Sequence, residues 1–383
     1  MSKFNTNLRD SQSSSISPVS PGQFDFGAYV DYEASLLESN RAFASADSGL
    51  LVYRRFRADG VFYDKCRSAE DSLALQLGAL KASMAYKGDI ANFLEPWYGI
   101  GYIAAPFGGK YIWLDGQAPA VEPLFHTPQE ILDADICPIA KTETGRHILN
   151  MTEYFLDQTH GKLPMSFTDI QSPLNMLSYL LPMNDLFFAV LDEPETLAAA
   201  AARLTDLLID FLRAQKEMIG DCLASPGHGF ASSRAFCGAG LSDDVSLMLS
   251  PDDYNDIFRP LDEKIGSAFG GTVYHSCGNW GRKIEMVRSF SGLTTVDGAF
   301  SAETDPSPND PSLFADAFAG SGVVVNARAV GSAEDAYDTF SRLWRPDQKM
   351  IAVTYCETPE EQANLYGRLH ALADGAGKAG TSV

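Results

Sequence analysis

The segment Val-Tyr-His275-Ser-Cys277-Gly combines an imidazole and a thiol at a spacing that suits metal binding. In an extended strand, residues i and i+2 point to the same face, so both side chains can converge on one ion. Cys356 follows a second apolar run, residues 350–355, and would lie at the end of another strand. Two thiolates and one imidazole form a good zinc set, and three protein ligands leave a fourth position open for substrate. These residue types therefore predict a catalytic zinc site.

The same residues can also be interpreted without a bound metal. Free cysteine is among the most often buried residue types, so Cys277 and Cys356 are equally consistent with packing at strand ends. A structural zinc is the weaker alternative, because such sites usually draw four ligands from paired CxxC-type loops. The chain has six scattered cysteines and no CxxC, which favours reduced thiols or metal ligands over disulfides.

The elements that must position these residues alternate between strands and helices. Short apolar or β-branched runs predict strands at residues 163–168, 229–235, 271–275, 292–297, 322–326 and 350–355. Helical patterns fall at residues 32–43, 69–86, 145–160, 194–220, 253–268 and 359–373. Beyond residue 270 the alternation indicates a parallel sheet with crossover helices. Periodicity does not separate a closed barrel from an open sheet, although no GxGxxG follows a first strand to support a dinucleotide-binding fold.

Length and composition favour one decorated domain. A (β/α)8 barrel uses about 250 residues and tolerates insertions, so 383 residues accommodate one. Residues 1–24 are rich in Ser, Asn and Pro and predict a flexible arm, residues 25–375 the barrel, and residues 376–383 a flexible tail. The net charge of −21 makes nucleic acid and membrane surfaces poor partners. With no leader and no apolar run near ~20 residues, we expect a cytoplasmic protein.

Over roughly residues 90–375 the chain resembles the zinc-containing, cobamide-dependent methyltransferase branch of the uroporphyrinogen decarboxylase-like superfamily. The segments that carry this resemblance occur in a fixed order. They are Phe93-Leu-Glu-Pro, Glu122-Pro with His126, Phe167-Thr-Asp-Ile-Gln-Ser-Pro-Leu-Asn, Asp243-Asp244 with Leu249-Ser-Pro-Asp-Asp-Tyr, His275-Ser-Cys-Gly-Asn, Val296-Asp-Gly-Ala-Phe-Ser-Ala-Glu303 and Cys356. The separation of 79 residues from Cys277 to Cys356 is similar to that of the family's metal-binding cysteines.

The resemblance implies an α/β fold, a (β/α)8 TIM barrel with an N-terminal helical extension. It implies zinc held by His275, Cys277 and Cys356, and a methyl group moved between a corrinoid and a thiol or similar acceptor. Because the chain lacks a corrinoid-binding DxHxxG stretch, the methylcobamide would come from a partner protein. Glu303 matches an acidic residue of the family that would complete the zinc site or accept the thiol proton. A solvated loop carboxylate is the alternative for Glu303.

The chain departs from the family pattern at Asp169-Ile-Gln-Ser-Pro-Leu-Asn175, where members commonly carry a Gly-rich stretch. Asp169, Gln171 and Asn175 are candidates to bind a polar small-molecule substrate, Asp169 also as a catalytic group. Alternatively, Asp169 caps the following helix. The decarboxylase's own basic signature is missing, and the cluster at residues 53–57 is more simply a solvated, salt-bridged face.

Two further hypotheses stay open beside methyl transfer. One is a decarboxylase-like lyase acting on a small polar or carboxylated substrate, with Asp169 moving the proton. The other is a non-catalytic binding barrel that retains zinc for stability. His228 precedes the predicted strand 229–235, so we expect it at the bottom of the barrel, away from the chemistry.

Overall fold

Seven parallel strands form the centre of the protein, which the computed structural model describes over residues 16–58 and 60–379. They hydrogen-bond in the order β1-β7-β6-β5-β4-β3-β2, and every pair is parallel. Strands that are consecutive in sequence from β2 to β7 are therefore neighbours in the sheet, as is usual for consecutive elements. The strands are Gly49–Arg54 (β1), Ile170–Gln171 (β2), Ala239–Ser242 (β3), Thr272–His275 (β4), Leu293–Ala299 (β5), Val324–Arg328 (β6) and Lys349–Thr354 (β7).

The segment around residues 89–94 closes this sheet into a barrel. Asp89 N donates to Val52 O of β1 at 2.7 Å, so the segment runs along the free edge of β1. At its other end Leu94 forms a parallel bridge to Met165, in the stretch that leads into β2. Since β1 also pairs with β7, the ring of pairings is complete. The predicted (β/α)8 barrel with an N-terminal helical extension is confirmed.

Thirteen α-helices are present among the described residues. The longest of them, Pro194–Ile219, buries Leu204, Leu208, Phe211 and Leu212 in the main hydrophobic core. The helices are Phe26–Ser45 (α1), Ala69–Ser83 (α2), Pro128–Asp133 (α3), Glu143–Thr159 (α4), Pro173–Ser178 (α5), Met183–Asp192 (α6), Pro194–Ile219 (α7), Pro251–Ile257 (α8), Arg259–Phe269 (α9), Ile284–Arg288 (α10), Pro311–Phe318 (α11), Ala333–Leu343 (α12) and Pro359–Ala379 (α13). No helix in this part of the chain is both long and apolar enough to cross a membrane.

Three predicted elements differ from the structure. The strand predicted at residues 163–168 is reduced to isolated bridges at Met165, and β2 begins only at Ile170. The other two predicted elements are wrong for a backbone reason. Residues 229–235 form a loop and not a strand, because Gly227 and Gly229 adopt φ values of 113° and 81°, which extended chains avoid. The next strand of the sheet is β3, which begins at Ala239. The single helix predicted at residues 253–268 is broken at Phe258 into α8 and α9. Pro260 lies in the first turn of α9 and has no N–H for the preceding helix.

The N-terminal segment packs on the barrel where it is described. Val19 N donates to Ala74 O of α2 at 2.8 Å, and the carbonyl of Ser17 lies against Gly78 of the same helix. Residues 1–15 of the predicted arm and residues 380–383 of the predicted tail lie outside the described residues.

Candidate metal and proton-transfer site

Three ligand-type side chains meet at the end of β4. Among the described residues, Asp244, His275 and Cys277 form a group whose ligand atoms all lie within 4.8 Å of one another. His275 is the last residue of β4, and Asp244 opens the turn that follows the neighbouring strand β3. Asp244 Oδ1 accepts a hydrogen bond from Cys277 N at 2.7 Å, so the carboxylate also fixes the chain that carries the thiol.

His275 is oriented for metal binding by a buried carboxylate. Its Nδ1 lies 2.6 Å from Asp297 Oδ2, and its Nε2 lies 3.5 Å from Cys277 Sγ. Metal-ligating histidines usually donate the second ring N–H to such a carboxylate, which leaves the other nitrogen for the ion. Tetrahedral ligands with a Zn–N distance of ~2.0–2.1 Å and a Zn–S distance of ~2.3 Å stand about 3.5 Å apart. The imidazole and thiol therefore fit a zinc ion.

Asp297 is itself held by the next strand. Its side chain is 0 % exposed, Arg328 Nη2 lies 2.9 Å from Oδ2, and Asn326 Nδ2 donates to Oδ1 at 2.5 Å. Burial alone would raise the pKa of Asp297, but Arg328 and His275 lower it to about 2. Burial likewise acts to lower the pKa of His275, yet the Asp297 carboxylate outweighs it and raises that pKa well above the usual value. The carboxylate thus stays ionised and keeps its hold on the imidazole.

The other two predicted site residues, Cys356 and Glu303, follow the strands β7 and β5. Cys356 is buried just after β7, three strands away from β4, and its carbonyl accepts a hydrogen bond from Arg54 Nε at 2.8 Å. Burial raises the pKa of its thiol to about 12. Glu303 is exposed in the turn after β5. Neither belongs to the group of three formed by the described residues, whereas Asp244, which the spacing of cysteines alone did not single out, does.

Asp169, Gln171 and Asn175 form one buried hydrogen-bonded chain. Gln171 Nε2 donates to Asp169 Oδ1 at 3.0 Å, and Asn175 Nδ2 donates to Gln171 Oε1 at 3.0 Å. Asn175 Oδ1 in turn accepts a hydrogen bond from Val245 N, next to Asp244. The proposal that Asp169 caps the following helix is wrong, because Ser172 Oγ takes that position at the start of α5.

A histidine between two carboxyl groups adjoins this chain. His228 Nδ1 lies 2.5 Å from Glu95 Oε1, and His228 Nε2 lies 3.4 Å from Asp169 Oδ2. Burial raises the pKa of Glu95 to about 7 and lowers that of His228 to about 3. At neutral pH His228 is therefore neutral and Glu95 is about half protonated, and in its protonated form Glu95 donates to the imidazole.

The expected position of His228 at the barrel bottom is wrong. That expectation depended on a strand at residues 229–235, which is a loop, and this loop brings His228 to Asp169 and within electrostatic range of His275. The sequence gives little indication of the contact between Glu95 and His228. Glu95 belongs to the Phe93-Leu-Glu-Pro segment, but a histidine flanked by glycines has no characteristic spacing that would pair it with Glu95.

The basic cluster after β1 lies in this region and not on a solvated face. Arg54 and Arg55 are only 4 % and 8 % exposed, which overturns the surface interpretation of residues 53–57. Arg55 and Arg57 line a small cavity of about 40 Å³ together with Glu95. Both guanidinium groups act to lower the pKa of Glu95 against the effect of its burial. The cavity therefore has positive charge on one side and a proton-bearing carboxyl group on the other.

Comparison with known families agrees with this architecture. The family model for uroporphyrinogen decarboxylase (URO-D) matches residues 45–306, more than half of the chain. The protein therefore belongs to the uroporphyrinogen decarboxylase family. The match includes Asp244, His275 and Cys277 and ends before Cys356.

A solved structure described as a methyltransferase from Methanosarcina mazei shares the fold. Its TM-score is 0.56 at 14 % sequence identity, over 82 % of this chain and 88 % of that chain. At 14 % sequence identity, this similarity is evidence for a shared fold alone. No curated protein sequence matches the chain.

Proposed function

We propose that the protein is a zinc-dependent methyltransferase that moves a methyl group between a corrinoid carried by a partner protein and a thiol or similar acceptor. The observation that carries the proposal is the His275 Nε2–Cys277 Sγ pair, 3.5 Å apart, with the imidazole oriented by Asp297. A nitrogen and a thiolate sulfur are ligands that zinc prefers. The fold shared with a methyltransferase adds support at the level of architecture.

In this proposal His275 and Cys277 supply two ligands and Cys356 the third. The third assignment rests on the resemblance to the family, because Cys356 stands outside the group of three in the described residues. Asp244 is the carboxylate nearest the first two ligands, and its side chain is 48 % exposed, so it is accessible to an incoming molecule. We assign to Asp244 the role of accepting the proton of the acceptor thiol, in preference to Glu303.

Zinc, when bound, would lower the pKa of the acceptor thiol and hold it as a thiolate. Asp244 would take the thiol proton. The thiolate sulfur would form a bond to the methyl carbon of the methylcobamide substrate, while the cobalt–carbon bond would break and leave its electron pair on cobalt. Asp169 and Gln171 would bind a polar part of the substrate, while Asn175 positions the turn that carries Asp244. The barrel mouth must stay open for the corrinoid protein.

Metal analysis combined with visible spectroscopy tests this function. The purified protein is expected to hold about one zinc per chain, and methylcobalamin with a thiol should lose its methyl-cobalt absorption only when the protein is added. Cys356→Ala should lose metal and activity while remaining folded. Cys222→Ala, which removes another buried thiol, should retain both. Full zinc content in Cys356→Ala together with loss in Asp244→Ala would replace Cys356 by Asp244 as the third ligand.

A second function is favoured by the Glu95–His228–Asp169 cluster. In a carboxy-lyase, the carbon–carbon bond to the leaving carboxylate breaks, its electron pair stays on the remaining carbon, and a proton must be delivered there. Glu95, protonated near neutral pH and hydrogen-bonded to His228, would supply that proton. Arg55 and Arg57 would attract a carboxylated substrate.

The two functions are separated by paired variants assayed for methyl transfer and for release of carbon dioxide. Methyl transfer predicts that Cys277→Ala abolishes activity and that Asp169→Asn retains part of it. If the protein is a lyase, Asp169→Asn should lose more activity than Cys277→Ala, because the chemistry then depends on proton delivery and not on a metal-bound thiolate.

A further inference from the structure

A second cavity lies at the opposite end of the barrel from His275. We call it the basal cavity, because it is lined by the first residues of β5, β6 and β7, including Leu293, Val324 and Lys349. The end of α1 covers it with Phe43, and Phe236 from the loop before β3 forms another wall. Its volume is about 320 Å³, which falls within the range of small-molecule sites, about 300–1,000 Å³.

The lining of the basal cavity is mainly apolar and carries one charged side chain, while Thr294, Thr295, Ser321 and Cys237 add hydroxyl and thiol groups. Phe43, Phe236, Pro226 and Ile351 supply hydrophobic walls, and Lys349 is the sole ionisable amine or carboxylate among the described lining residues. Ile351 also belongs to the core cluster of the barrel interior, so the cavity reaches inward from the surface toward that core. An apolar chamber with one fixed cation suits a molecule with a hydrocarbon part and one negative group.

Lys349 is held in place by the backbone and an aromatic ring, and it forms no ion pair within 4.0 Å among the described residues. The residue is 7 % exposed, its Nζ donates to Ala44 O at 3.0 Å, and the ammonium lies 5.3 Å from the Phe43 ring. An ammonium group has three N–H donors, and the carbonyl of Ala44 uses one. Asp47 is the acidic residue within electrostatic range, and it acts to raise the pKa of Lys349. Burial has the larger effect and lowers that pKa, which shows that the charged form lacks solvation.

We propose that the basal cavity binds a medium-chain carboxylate, with its alkyl chain between Phe43 and Phe236 and its carboxylate at Lys349. Burial of the chain supplies the hydrophobic contribution, roughly in proportion to the apolar area removed from water. The carboxylate supplies the counter-charge that the ammonium lacks. This site is independent of the proposed methyl transfer, because Lys349 begins β7 whereas Cys356 follows the end of the same strand.

Calorimetric titration of the full chain with three probes tests the proposal. Octanoate carries both features, 1-octanol keeps the chain without the charge, and acetate keeps the charge without the chain. Octanoate is expected to bind with the highest affinity, octanol more weakly and acetate not measurably. Absence of saturable octanoate binding to the wild-type protein would overturn the proposal, and so would equal affinities for octanoate and octanol.

Variants assign the site to this cavity. Lys349→Met should weaken octanoate binding by about tenfold, equivalent to about 1.4 kcal/mol, and leave octanol binding unchanged. Ala235→Leu should weaken both ligands by filling the cavity that Ala235 lines. Lys216→Met is the matched control, because its ammonium lies 5.9 Å from the Phe269 ring but outside the cavity. Circular dichroism would establish that each variant is folded, and unchanged octanoate affinity in folded Lys349→Met would reject the assignment.

Discussion

His275 Nδ1 lies 2.6 Å from Asp297 Oδ2, and the two residues are direct partners in the register of β4 and β5. Asp297 is in turn the register partner of Asn326 in β6, which donates to its other oxygen. Three neighbouring strands therefore contribute one row of side chains that fixes a single imidazole. Because side chains on adjacent parallel strands point to the same face at paired positions, this arrangement follows from strand order and register.

Asp297→Asn is expected to weaken zinc binding by about 10- to 100-fold, as is typical for loss of a carboxylate that orients a metal-ligating histidine. An amide keeps the shape but removes the charge that favours the Nδ1–H tautomer. Competition with a chromophoric chelator at fixed pH measures the affinity. Asp316→Asn, which alters an exposed pair with Arg345, is the control and should leave affinity unchanged. Equal zinc affinity in wild type and Asp297→Asn would show that the carboxylate does not orient a ligand.

Arg328→Met is expected to destabilise the protein by about 3–5 kcal/mol, because it removes the guanidinium partner of a fully buried carboxylate and leaves Asp297 with only His275 and Asn326. Arg328 is 6 % exposed and Asp297 is fully buried. The comparable substitution Arg342→Met breaks an exposed ion pair with Asp310 and should cost less than about 1 kcal/mol. Urea unfolding of both variants gives the comparison, and similar losses would mean that the buried pair contributes no more than the exposed one.

Asp244→Asn is expected to lower the rate of methyl transfer by about 10²-fold or more, the usual effect of losing a positioned acid–base group. The asparagine oxygen can still accept the hydrogen bond from Cys277 N, so the local chain should keep its course. Glu303→Gln should have a smaller effect, because Glu303 is exposed and lies outside the ligand group of the described residues. Zinc content should be retained in both variants. A larger loss of activity in Glu303→Gln would return the proton-acceptor role to Glu303.

Glu95 makes stability depend on pH in a defined direction. Its pKa is about 7 in the folded protein against a usual value of 4.5, so the fold favours its protonated form. The stability that this preference contributes is fully present below pH 4.5 and is lost as pH rises through 7. A shift of this size corresponds to about 3 kcal/mol.

Glu95→Gln, which stays neutral, should therefore become more stable relative to wild type as pH rises from 5 to 8. Denaturant unfolding at several pH values measures the difference, with Glu195→Gln on the exposed start of α7 as the control. Parallel stability profiles for wild type and Glu95→Gln would contradict the raised pKa.

The barrel and its strongest chemical motif could be predicted from the sequence because both depend on local patterns. The convergence of His275 and Cys277 required a strand that ends at this point, and β4 covers Thr272–His275, with Cys277 two residues beyond its end. Their carboxylate partner Asp297 was visible only as the end of another strand. Its role depends on inter-strand register, which a single sequence does not display.

The errors arose where irregular backbone carries functional groups. His228 reaches Glu95 and Asp169 through a loop with two glycines in the left-handed region, and such a loop was mistaken for a strand. The arginines after β1 were read as a surface cluster because charged residues are rarely buried. Their burial depends on tertiary contacts with Glu95 and with aromatic rings, for example Arg57 over Phe62 at 3.7 Å.

The hydrogen-bonded chain through Gln171 and Asn175 links two regions of the barrel mouth that lie far apart in the sequence. One end reaches Asp169 and its neighbour His228, and the other holds the backbone beside Asp244. A molecule that binds Asp169 and displaces its side chain therefore acts on the turn that carries Asp244, a candidate metal ligand. If this displacement changes the affinity for zinc by some factor, then zinc must change the affinity for that molecule by the same factor. Binding at the cluster of carboxyl groups and binding at the metal group would then be thermodynamically coupled, so that occupancy of one site changes the affinity of the other.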